Sequence, residues 1–432
     1  MSCETASRNA TAPEPGIAPG GESLDPRASA RAIGRNGVDP RLPAAIPGFD
    51  APFFQAGLAG YSDAAMRLIA RRHGCPLCVT EALLDRTLLA GGRGFAKADL
   101  GELHDNVPGG DEDHPLAGQI MGSDPGEMAA AAIKMVEQGS RTPRAYRKLA
   151  TDRAMGNGQR TMASHAGPSS ESDPIARCPL PIAFFQAIDI NLACPVRKIA
   201  KKARGGHWLA EPEGAIAILR AVREAVPDAI PVTVKMRRSF DDTPEMARSF
   251  LRIFDASYDL GCAWVTVHGR TVQQKYVGPS RWDLLRGIVR SRPGRVVFGS
   301  GDIWNAADIF RMIEYTGVAG ASVARGCIGN PWIFRQARDM MAGAEPRPPT
   351  IAEQRQVLED HFDLALRVNA DKRDPELHTG KTMRKFAIRF AAHHPDAAAV
   401  RTRFIAVKST SDWRNVLDAF YQPAAAPAGA PA

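Results

Sequence analysis

Eight short apolar runs, each followed by an amphipathic stretch, and a purely helical pattern after about residue 350 predict the fold class of this chain. The eight runs fall within roughly 300 residues, a length typical of one alternating α/β domain. Parallel strands that are buried on both faces, each returned by a helix, close into a barrel. We therefore predict an α/β protein, a (β/α)8 TIM barrel followed by a small all-α helical domain. A doubly wound open sheet is the alternative.

Each predicted strand is a short run of mainly apolar residues. The eight segments are 52–57, 76–81, 116–121, 186–190, 231–236, 263–268, 295–299 and 319–324. Helical spacing follows most of them, for example in DPGEMAAAAIKMVEQG and TPEMARSFLRIFDASYDLG. Beyond the barrel, Leu358, Phe362 and Leu366 recur on one helix face, which indicates an all-α domain at 346–421.

Three segments lack this periodicity. Residues 1–46 and 422–432 are rich in Ala, Pro and Gly, and we expect both to be disordered tails. Residues 140–183 are dense in Arg, Ser, Gly and Pro, where a helix-to-strand connection normally takes a few residues. We predict a low-complexity insertion there, on the non-catalytic end of a barrel domain that covers 47–345.

The composition excludes several protein classes. No run of eighteen apolar residues predicts a transmembrane helix, and the N-terminus lacks the pattern of a signal peptide. The seven cysteines are scattered and give no disulfide framework, so we expect a cytoplasmic protein. The formal net charge of +8 permits a polyanionic partner without requiring one.

The predicted site lies at the carboxyl ends of the strands, as in other barrels of this kind. Two glycine-containing turns, at 299–302 and 324–326, follow the last two strands and can hold a phosphate together with Arg325. Gln119, Lys235 and His268 end other strands and form a polar cluster directed at one place. A cation and an imidazole beside a phosphate-anchored ring fit a flavin, because a lysine can stabilise negative charge on the reduced ring.

Cys194 follows a strand in the same ring of loops and precedes a run of cations. A thiol there can be a nucleophile, a metal ligand or a proton donor. No His or Cys lies at ligand spacing from it, so we expect no structural metal. The C-x-x-C pair Cys75 and Cys78 falls on a predicted strand and indicates core packing. The five cations after Pro195 are Arg197, Lys198, Lys201, Lys202 and Arg204.

Eight motifs occur in order along the chain: QAGLAGYSDAAMR, VTEALL, GQIMGSDP, DINLACPVRK, VTVKMR, TVHGRT-x4-YVGPSRWD, GSGDI and ARGCIGNPWIF. Together they resemble the tRNA-dihydrouridine synthase family over about residues 46–420, apart from the insertion. The resemblance implies an FMN-dependent enzyme that uses NADPH as reductant. Hydride passes from N5 of reduced FMN to C6 of a tRNA uracil. The family's cysteine delivers the proton to C5, and that position is Cys194 here.

The resemblance also implies binding residues. Asn191 and Arg270 would frame the uracil. The implied FMN contacts are Gly57, Leu58, Ala59, Gln119, Lys235, His268, Ser300, Gly301, Asp302, Ala324 and Arg325. The implied tRNA contacts are Arg197, Lys198, Lys201 and Lys202 beside the thiol, with Lys381, Arg384, Lys385, Arg389, Arg401 and Arg403 in the helical domain.

Three positions depart from the family pattern, which usually has Pro, Asn and Gly where this chain has Gly57, Ser300 and Ala324. We expect the backbone contacts to FMN to survive, provided that Ala324 keeps a negative φ. Two other functions stay open: an FMN barrel that reduces a free small molecule, such as a pyrimidine or an enoate, and a tRNA-binding homologue without catalysis. The run of cations after Cys194 disfavours the first. We expect a monomer.

Overall fold

The strands form a closed parallel barrel. The structure is a computed structural model that describes residues 24–90, 112–138, 185–195, 204–370 and 372–422. Pairing of β1 with β9 and of β2 with β4 closes the ring, so the predicted barrel is confirmed and the open sheet is wrong. The strands are β1 (Phe53–Gln55), β2 (Cys78–Val79), β3 (Leu83–Leu84), β4 (Leu116–Met121), β5 (Ala187–Leu192), β6 (Val232–Arg237), β7 (Trp264–His268), β8 (Val297–Ser300) and β9 (Gly320–Val323).

All eight predicted strands are present, and the two-residue strand β3 is an addition. It takes over from β2 along β4: Cys78 lies beside Leu116 at the lower end, and Leu83 lies beside Ile120 near the upper end. Strand β3 therefore continues the sheet beside the carboxyl end of β4. The predicted insertion 140–183 lies outside the described residues.

The helices begin at recognisable sequence signals. Thr350 and Glu353 form a capping box at the start of α11, and prolines occupy the first helical position of α6 and α7. The helices are α1 (Pro26–Asn36), α2 (Arg41–Ala45), α3 (Ala64–Arg72), α4 (Asp85–Ala90), α5 (Pro125–Gln138), α6 (Pro212–Ala225), α7 (Pro244–Asp259), α8 (Trp282–Ser291), α9 (Ala306–Thr316), α10 (Trp332–Met341), α11 (Ile351–Val368), α12 (Pro375–Phe390), α13 (Ala397–Ile405) and α14 (Thr410–Phe420).

The lower half of the barrel interior is apolar and closed. Phe54, Trp264 and Phe298 fill it from three strands, and Phe49 seals it from below, its ring stacked on Phe298 at 5.8 Å. Because strand side chains alternate, the residues two positions further along these strands lie on the same inner face, nearer the carboxyl ends. The apolar base therefore confines any polar site to the upper half.

The disordered tail predicted for residues 1–46 is wrong from residue 24 onward. Leu42 in helix α2 and Ile46 directly after it are fully buried in the barrel base. Helix α1 packs on α9 and α10 through the buried Ala30. At Gly34 a Cβ would lie 2.0 Å from the carbonyl oxygen of Met341, so only glycine permits this approach. Alanine-rich composition concealed a helix whose buried face is made of small side chains.

The C-terminal helices α11–α14 form the predicted helical region, which packs on one side of the barrel mouth. Its core includes Trp413, whose ring centre lies 4.8 Å from that of Phe362 and 4.9 Å from that of Phe404. Helix α12 reaches the barrel loops, where Phe386 packs edge-on against Tyr61 at 5.6 Å. The helical region therefore lies beside the loop that follows β1.

Leu42→Ala tests the sealed barrel base. The substitution removes a fully buried side chain, so we expect it to lower the free energy of unfolding by about 2–5 kcal/mol. Ala44→Ser, on the exposed side of the same helix, is the control and should change it by no more than about 0.5 kcal/mol. Denaturant or thermal unfolding measures both variants. Equal stability of the two would mean that this segment is a tail after all.

Candidate active site

The upper half of the barrel interior is polar. By strand alternation these side chains continue the inner face above Ala117, Ala187, Trp264 and Phe298, which belong to the apolar base. Buried polar groups are stable only when they are hydrogen-bonded. The polar layer consists of Gln119, Asp189, Asn191, Thr233, Lys235, Arg237, Thr266, His268, Ser300 and Ser322.

A chain of hydrogen bonds crosses this layer from β6 to the loop after β5. The Thr233 hydroxyl donates to Asp189 Oδ1 at 2.6 Å, and Gln119 Nε2 donates to Asp189 Oδ2 at 2.7 Å. Asn191 Nδ2 donates to Gln119 Oε1 at 2.7 Å. Asn191 Oδ1 then accepts the backbone N–H groups of Ala193 and Cys194, at 2.9 and 3.1 Å. The backbone that carries the thiol is thus tied to the barrel interior.

Cys194 lies at the rim of the barrel, partly buried. Its carbonyl oxygen accepts the N–H of Gly206 at 2.9 Å. Gly205 has a φ of +48°, and a Cβ there would lie 3.0 Å from the Cys194 Cβ. Arg237 donates from Nε to the carbonyl oxygen of Ala193 at 2.9 Å and interacts electrostatically with the thiol. Gly205 and Gly206 therefore allow their backbone to pack closely against Cys194. Arg237 supplies a positive charge beside the thiol.

Lys235 is the cation of the polar layer, on the strand next to Asn191. Burial lowers the pKa of its ammonium group to about 8, against an opposing attraction from Asp189. Among the described residues, its side chain makes no hydrogen bond. Burial also raises the pKa of Asp189. Lys235 is therefore a partly desolvated cation that is available to a ligand in the barrel mouth.

His268 is neutral and oriented. Its Nδ1 lies 3.0 Å from the carbonyl oxygen of Ser300. Burial first, and then the charges of Arg237 and Lys235, hold the pKa of the ring well below its usual value. Because a carbonyl oxygen can only accept, Nδ1 carries the ring hydrogen and Nε2 is left as an acceptor.

The turn after β8 approaches His268 closely. Gly301 has a φ of +111°, and a Cβ there would lie 2.7 Å from His268 Nδ1. Asp302, also at positive φ, accepts from Arg270 Nη2 at 2.7 and 2.8 Å and from the Ser280 N–H at 2.7 Å. Arg270 is 3% exposed. The structure thus pairs two side chains that the sequence assigned to different ligands.

Arg325 lies between two aromatic rings after β9. Its guanidinium carbon is 5.0 Å from the centre of the Tyr276 ring and 4.9 Å from that of Trp304. Burial lowers its pKa. Ala324 has a φ of −107°, which meets the condition set for its backbone contact. The two rings restrict the movement of the guanidinium group, which favours the binding of an anion.

The loop Gly57–Ala59 follows β1. A Cβ at Gly57 would lie 2.3 Å from the Thr80 carbonyl oxygen and 3.2 Å from Gln119 Oε1. Glycine therefore lets this backbone approach the amide of Gln119. The Leu58 N–H donates to the Ser62 hydroxyl at 2.8 Å, which fixes the start of the loop.

The predicted tRNA contacts divide into two groups. Arg197, Lys198, Lys201 and Lys202 lie outside the described residues. Lys381 is exposed on α12, whereas Arg384 donates to the Val407 carbonyl oxygen. Lys385 donates to the Gly60 carbonyl oxygen and lies 5.0 Å from the Tyr61 ring centre, so it joins α12 to the barrel.

Arg237, Asp189 and Tyr276 are site residues that the sequence reasoning missed. Arg237 and Asp189 each lie two positions from a residue that was identified, Lys235 and Asn191. The period-2 alternation of a strand would have placed them on the same inner face. Tyr276 lies in a loop, where no periodicity points to it.

The described ranges hold no group of three or more His, Cys, Asp and Glu side chains that could bind a metal ion. No helix in them is long and apolar enough to cross a membrane. Cys75 and Cys78 are buried with their Sγ atoms 3.9 Å apart, and burial raises the pKa of Cys78 well above its usual value. These two thiols are part of the core.

Comparisons with known proteins agree with the motifs. Residues 181–424 match the dihydrouridine synthase (Dus) family. tRNA-dihydrouridine synthase B of Shewanella oneidensis is 30% identical over 308 residues, which cover 71% of this chain and 77% of that protein. The probable tRNA-dihydrouridine synthase of Treponema pallidum is 31% identical, with 69% and 74% covered. Among solved structures, morphinone reductase in complex with tetrahydroNAD is 10% identical, with 70% of this chain and 90% of that chain covered and a TM-score of 0.40.

Lys235→Met tests the desolvated ammonium group. Because its folded-state pKa of about 8 lies below the ordinary 10.5, the unfolded chain binds a proton between these pH values that the folded chain has released. The wild type should therefore gain roughly 1–3 kcal/mol of stability over Lys235→Met as the pH rises through this window. Denaturant unfolding of both proteins without ligand, from about pH 7 to about pH 10, measures the difference. Lys381→Met, which removes an exposed ammonium group, is the control, and a pH-independent difference for Lys235 would contradict the argument.

Proposed function

Because the chain belongs to the dihydrouridine synthase family, we propose that it reduces a uridine in tRNA to 5,6-dihydrouridine, with FMN as cofactor and NADPH as reductant. The observation that carries this proposal is the position of Cys194. Its backbone N–H donates to Asn191, which belongs to the polar layer. Lys235 lies beside Asn191 on the neighbouring strand β6. Arg237, also on β6, donates to the carbonyl oxygen of Ala193. A thiol at the rim of a cationic barrel mouth fits a proton donor for a base that enters from outside.

The polar layer has the groups that a flavin needs. Lys235 offers an ammonium group without a hydrogen-bond partner among the described residues, which suits the oxygen and nitrogen edge of the ring. His268 offers Nε2, and Gln119 lies on the wall across from it. Bound FMN would supply the hydride for C6 of the uracil. The remaining steps depend on groups of the protein.

The phosphate of FMN would lie at the turns after β8 and β9. Gly301 and Ala324 present backbone at this rim, and Arg325 is held between two rings close by. Asp302 already pairs with Arg270, so its carboxylate is neutralised near the phosphate. We propose that Arg270 contributes mainly through this ion pair and that Asn191 frames the uracil from β5.

Cys194 would give its proton to C5 while C6 receives the hydride, so that the C5–C6 double bond becomes single and the thiol becomes a thiolate. Arg237 stabilises that negative charge, because its guanidinium group is buried, fixed by three carbonyl oxygens and interacts with the thiol. The Tyr276 ring packs over Arg237, with 5.6 Å between the guanidinium carbon and the ring centre. The protein's part is therefore to aim one proton and stabilise the thiolate that remains.

The tRNA would lie across the barrel mouth and the helical region. A uracil in folded RNA has to leave its stack to reach a site inside a barrel. Helices α12 and α13 carry exposed cations, and Lys385 joins α12 to the loop after β1. These cations are Lys381, Arg401 and Arg403. Phosphate contacts from them would orient the RNA without reading its sequence.

A free pyrimidine or enoate is the second candidate substrate, because Lys235 and His268 alone would serve it equally well. Such a neutral molecule makes no use of the exposed cations beside the mouth. A binding protein without catalysis would need neither the thiol nor its hydrogen-bonded support. The observed support of Cys194 favours the enzyme.

Cys194→Ala tests the proposed proton donor. We expect FMN to stay bound, while formation of dihydrouridine falls by about 10²–10⁴-fold, because proton delivery to C5 is lost. Nuclease digestion of reacted tRNA measures dihydrouridine, and flavin absorbance measures FMN. Cys262→Ala, which removes a buried thiol at the start of β7, should keep both near the wild-type values. Full turnover in Cys194→Ala would remove Cys194 from the mechanism.

A further inference from the structure

Asp189 is a buried carboxylate to which the proposed reaction assigns no role. It lies in the barrel interior with 5% of its surface exposed, two positions before Asn191 on β5. A carboxylate in such a place is costly unless it accepts hydrogen bonds. Asp189 accepts two, from the Thr233 hydroxyl and from Gln119 Nε2. Its position and partners set the direction of the hydrogen bonds that reach Cys194.

The two ends of the hydrogen-bond chain differ in kind. At one end the two oxygens of Asp189 accept from the Thr233 hydroxyl and from Gln119 Nε2, and at the other the backbone N–H groups of Ala193 and Cys194 can only donate. Between them lie the amides of Gln119 and Asn191, each of which can rotate by 180° to exchange its donor and acceptor. One orientation of each amide satisfies both ends: Gln119 donates to Asp189 and accepts from Asn191, and Asn191 accepts from the two backbone N–H groups.

We propose that Asp189 is a positioning residue for Cys194: it fixes the orientation of the Gln119 and Asn191 amides and thereby holds the backbone that aims the thiol. The catalytic part of this inference rests on the proposed function. The structural part, that Asp189 keeps the Ala193 and Cys194 N–H groups bonded, does not depend on any substrate.

Asp189→Leu removes the acceptor that holds Gln119. Its Nε2 then loses its partner, and the amide that accepts from Asn191 is no longer fixed at its far end. Asp189→Asn restores an acceptor without the charge. Because the Thr233 hydroxyl can accept as well as donate, the new NH2 group can donate to Thr233 while the new oxygen accepts from Gln119 Nε2. The hydrogen bonds that reach Cys194 are therefore kept in Asp189→Asn and lose their first acceptor in Asp189→Leu.

The two variants separate the hydrogen bond of the carboxylate from its charge. Both remove the negative charge, so an effect of that charge on the thiol is common to both. Only Asp189→Leu removes the acceptor for Gln119 Nε2. The difference between the two variants therefore measures the contribution of the hydrogen-bonded chain.

The experiment measures hydrogen exchange of the Ala193 and Cys194 backbone amides in the full-length FMN-loaded proteins, and again after FMN is removed, so that occupancy is matched. We expect Asp189→Leu to speed this exchange by at least about tenfold, because an acceptor is lost, and Asp189→Asn to keep it within about threefold of the wild type. Thr233→Val is the control. It removes the other hydrogen bond of the same carboxylate, at the end of the chain away from Cys194, and should leave the exchange within about threefold of the wild type.

Turnover supplies the second readout. At saturating tRNA, the rate of dihydrouridine formation should fall at least about tenfold in Asp189→Leu, with little change in the KM for tRNA, and should fall less in Asp189→Asn. Unchanged exchange in Asp189→Leu, or exchange in Asp189→Asn as fast as in Asp189→Leu, would overturn the proposal. If Asp189→Leu does not fold, Asp189→Ala takes its place with the same expected results, and an Asp189→Asn variant that does not fold overturns the proposal. A wild type that forms no dihydrouridine would contradict the proposed function, and the exchange results would still decide the relay.

Discussion

The hydrogen-bonded chain from Thr233 through Asp189 and Gln119 to Asn191 is the interaction on which the site depends. It solves the problem of burying polar side chains in a barrel whose lower half is apolar and sealed. Asp189, Gln119 and Asn191 are each bonded on two sides, so these three side chains are satisfied without solvent. Asn191, the last member, binds the backbone of the loop after β5, in which Cys194 would otherwise have more freedom. Hydrogen bonds from the barrel interior therefore fix the position of the Cys194 backbone in this loop.

The charges of the mouth follow from the same layer. Lys235 and Arg237 are both partly or fully buried cations on β6, and their positive charges help to keep His268 neutral. Asp189 offsets part of the cost of burying Lys235. A neutral imidazole and two cations around one cavity form a setting that favours anionic ring systems and a thiolate. The Asp189 carboxylate, below these groups, offsets part of their positive charge.

The sequence predicted the strands and their carboxyl-end residues because both follow from simple periodicities. Gln119, Lys235 and His268 end apolar runs, and the structure places all three in the polar layer. The N-terminal segment was mistaken for a tail because a helix that buries Ala30 and closes on Gly34 has no large apolar residue to reveal it. Leu42 and Ile46, in and directly after a five-residue helix, were too few to form a detectable period.

Contacts between residues that lie far apart along the chain could not be predicted from the sequence. Nothing in the turn at 299–302 shows that Asp302 binds Arg270, because that contact depends on how two loops meet after β7 and β8. The stacking of Arg325 between Tyr276 and Trp304 is of the same kind. The contacts of Lys385 with the Gly60 carbonyl oxygen and the Tyr61 ring are a further example, and its predicted contact with tRNA stays a prediction.

The most direct test of the account is an anaerobic one. The FMN-loaded protein is reduced with NADPH, mixed with unmodified tRNA or with free uridine, and followed by the return of oxidised-flavin absorbance. The account predicts fast reoxidation by tRNA, dihydrouridine in the nuclease digest, and little response to free uridine at the same uracil concentration. Reoxidation by free uridine alone, or by neither, would contradict the conclusion that this barrel reduces tRNA.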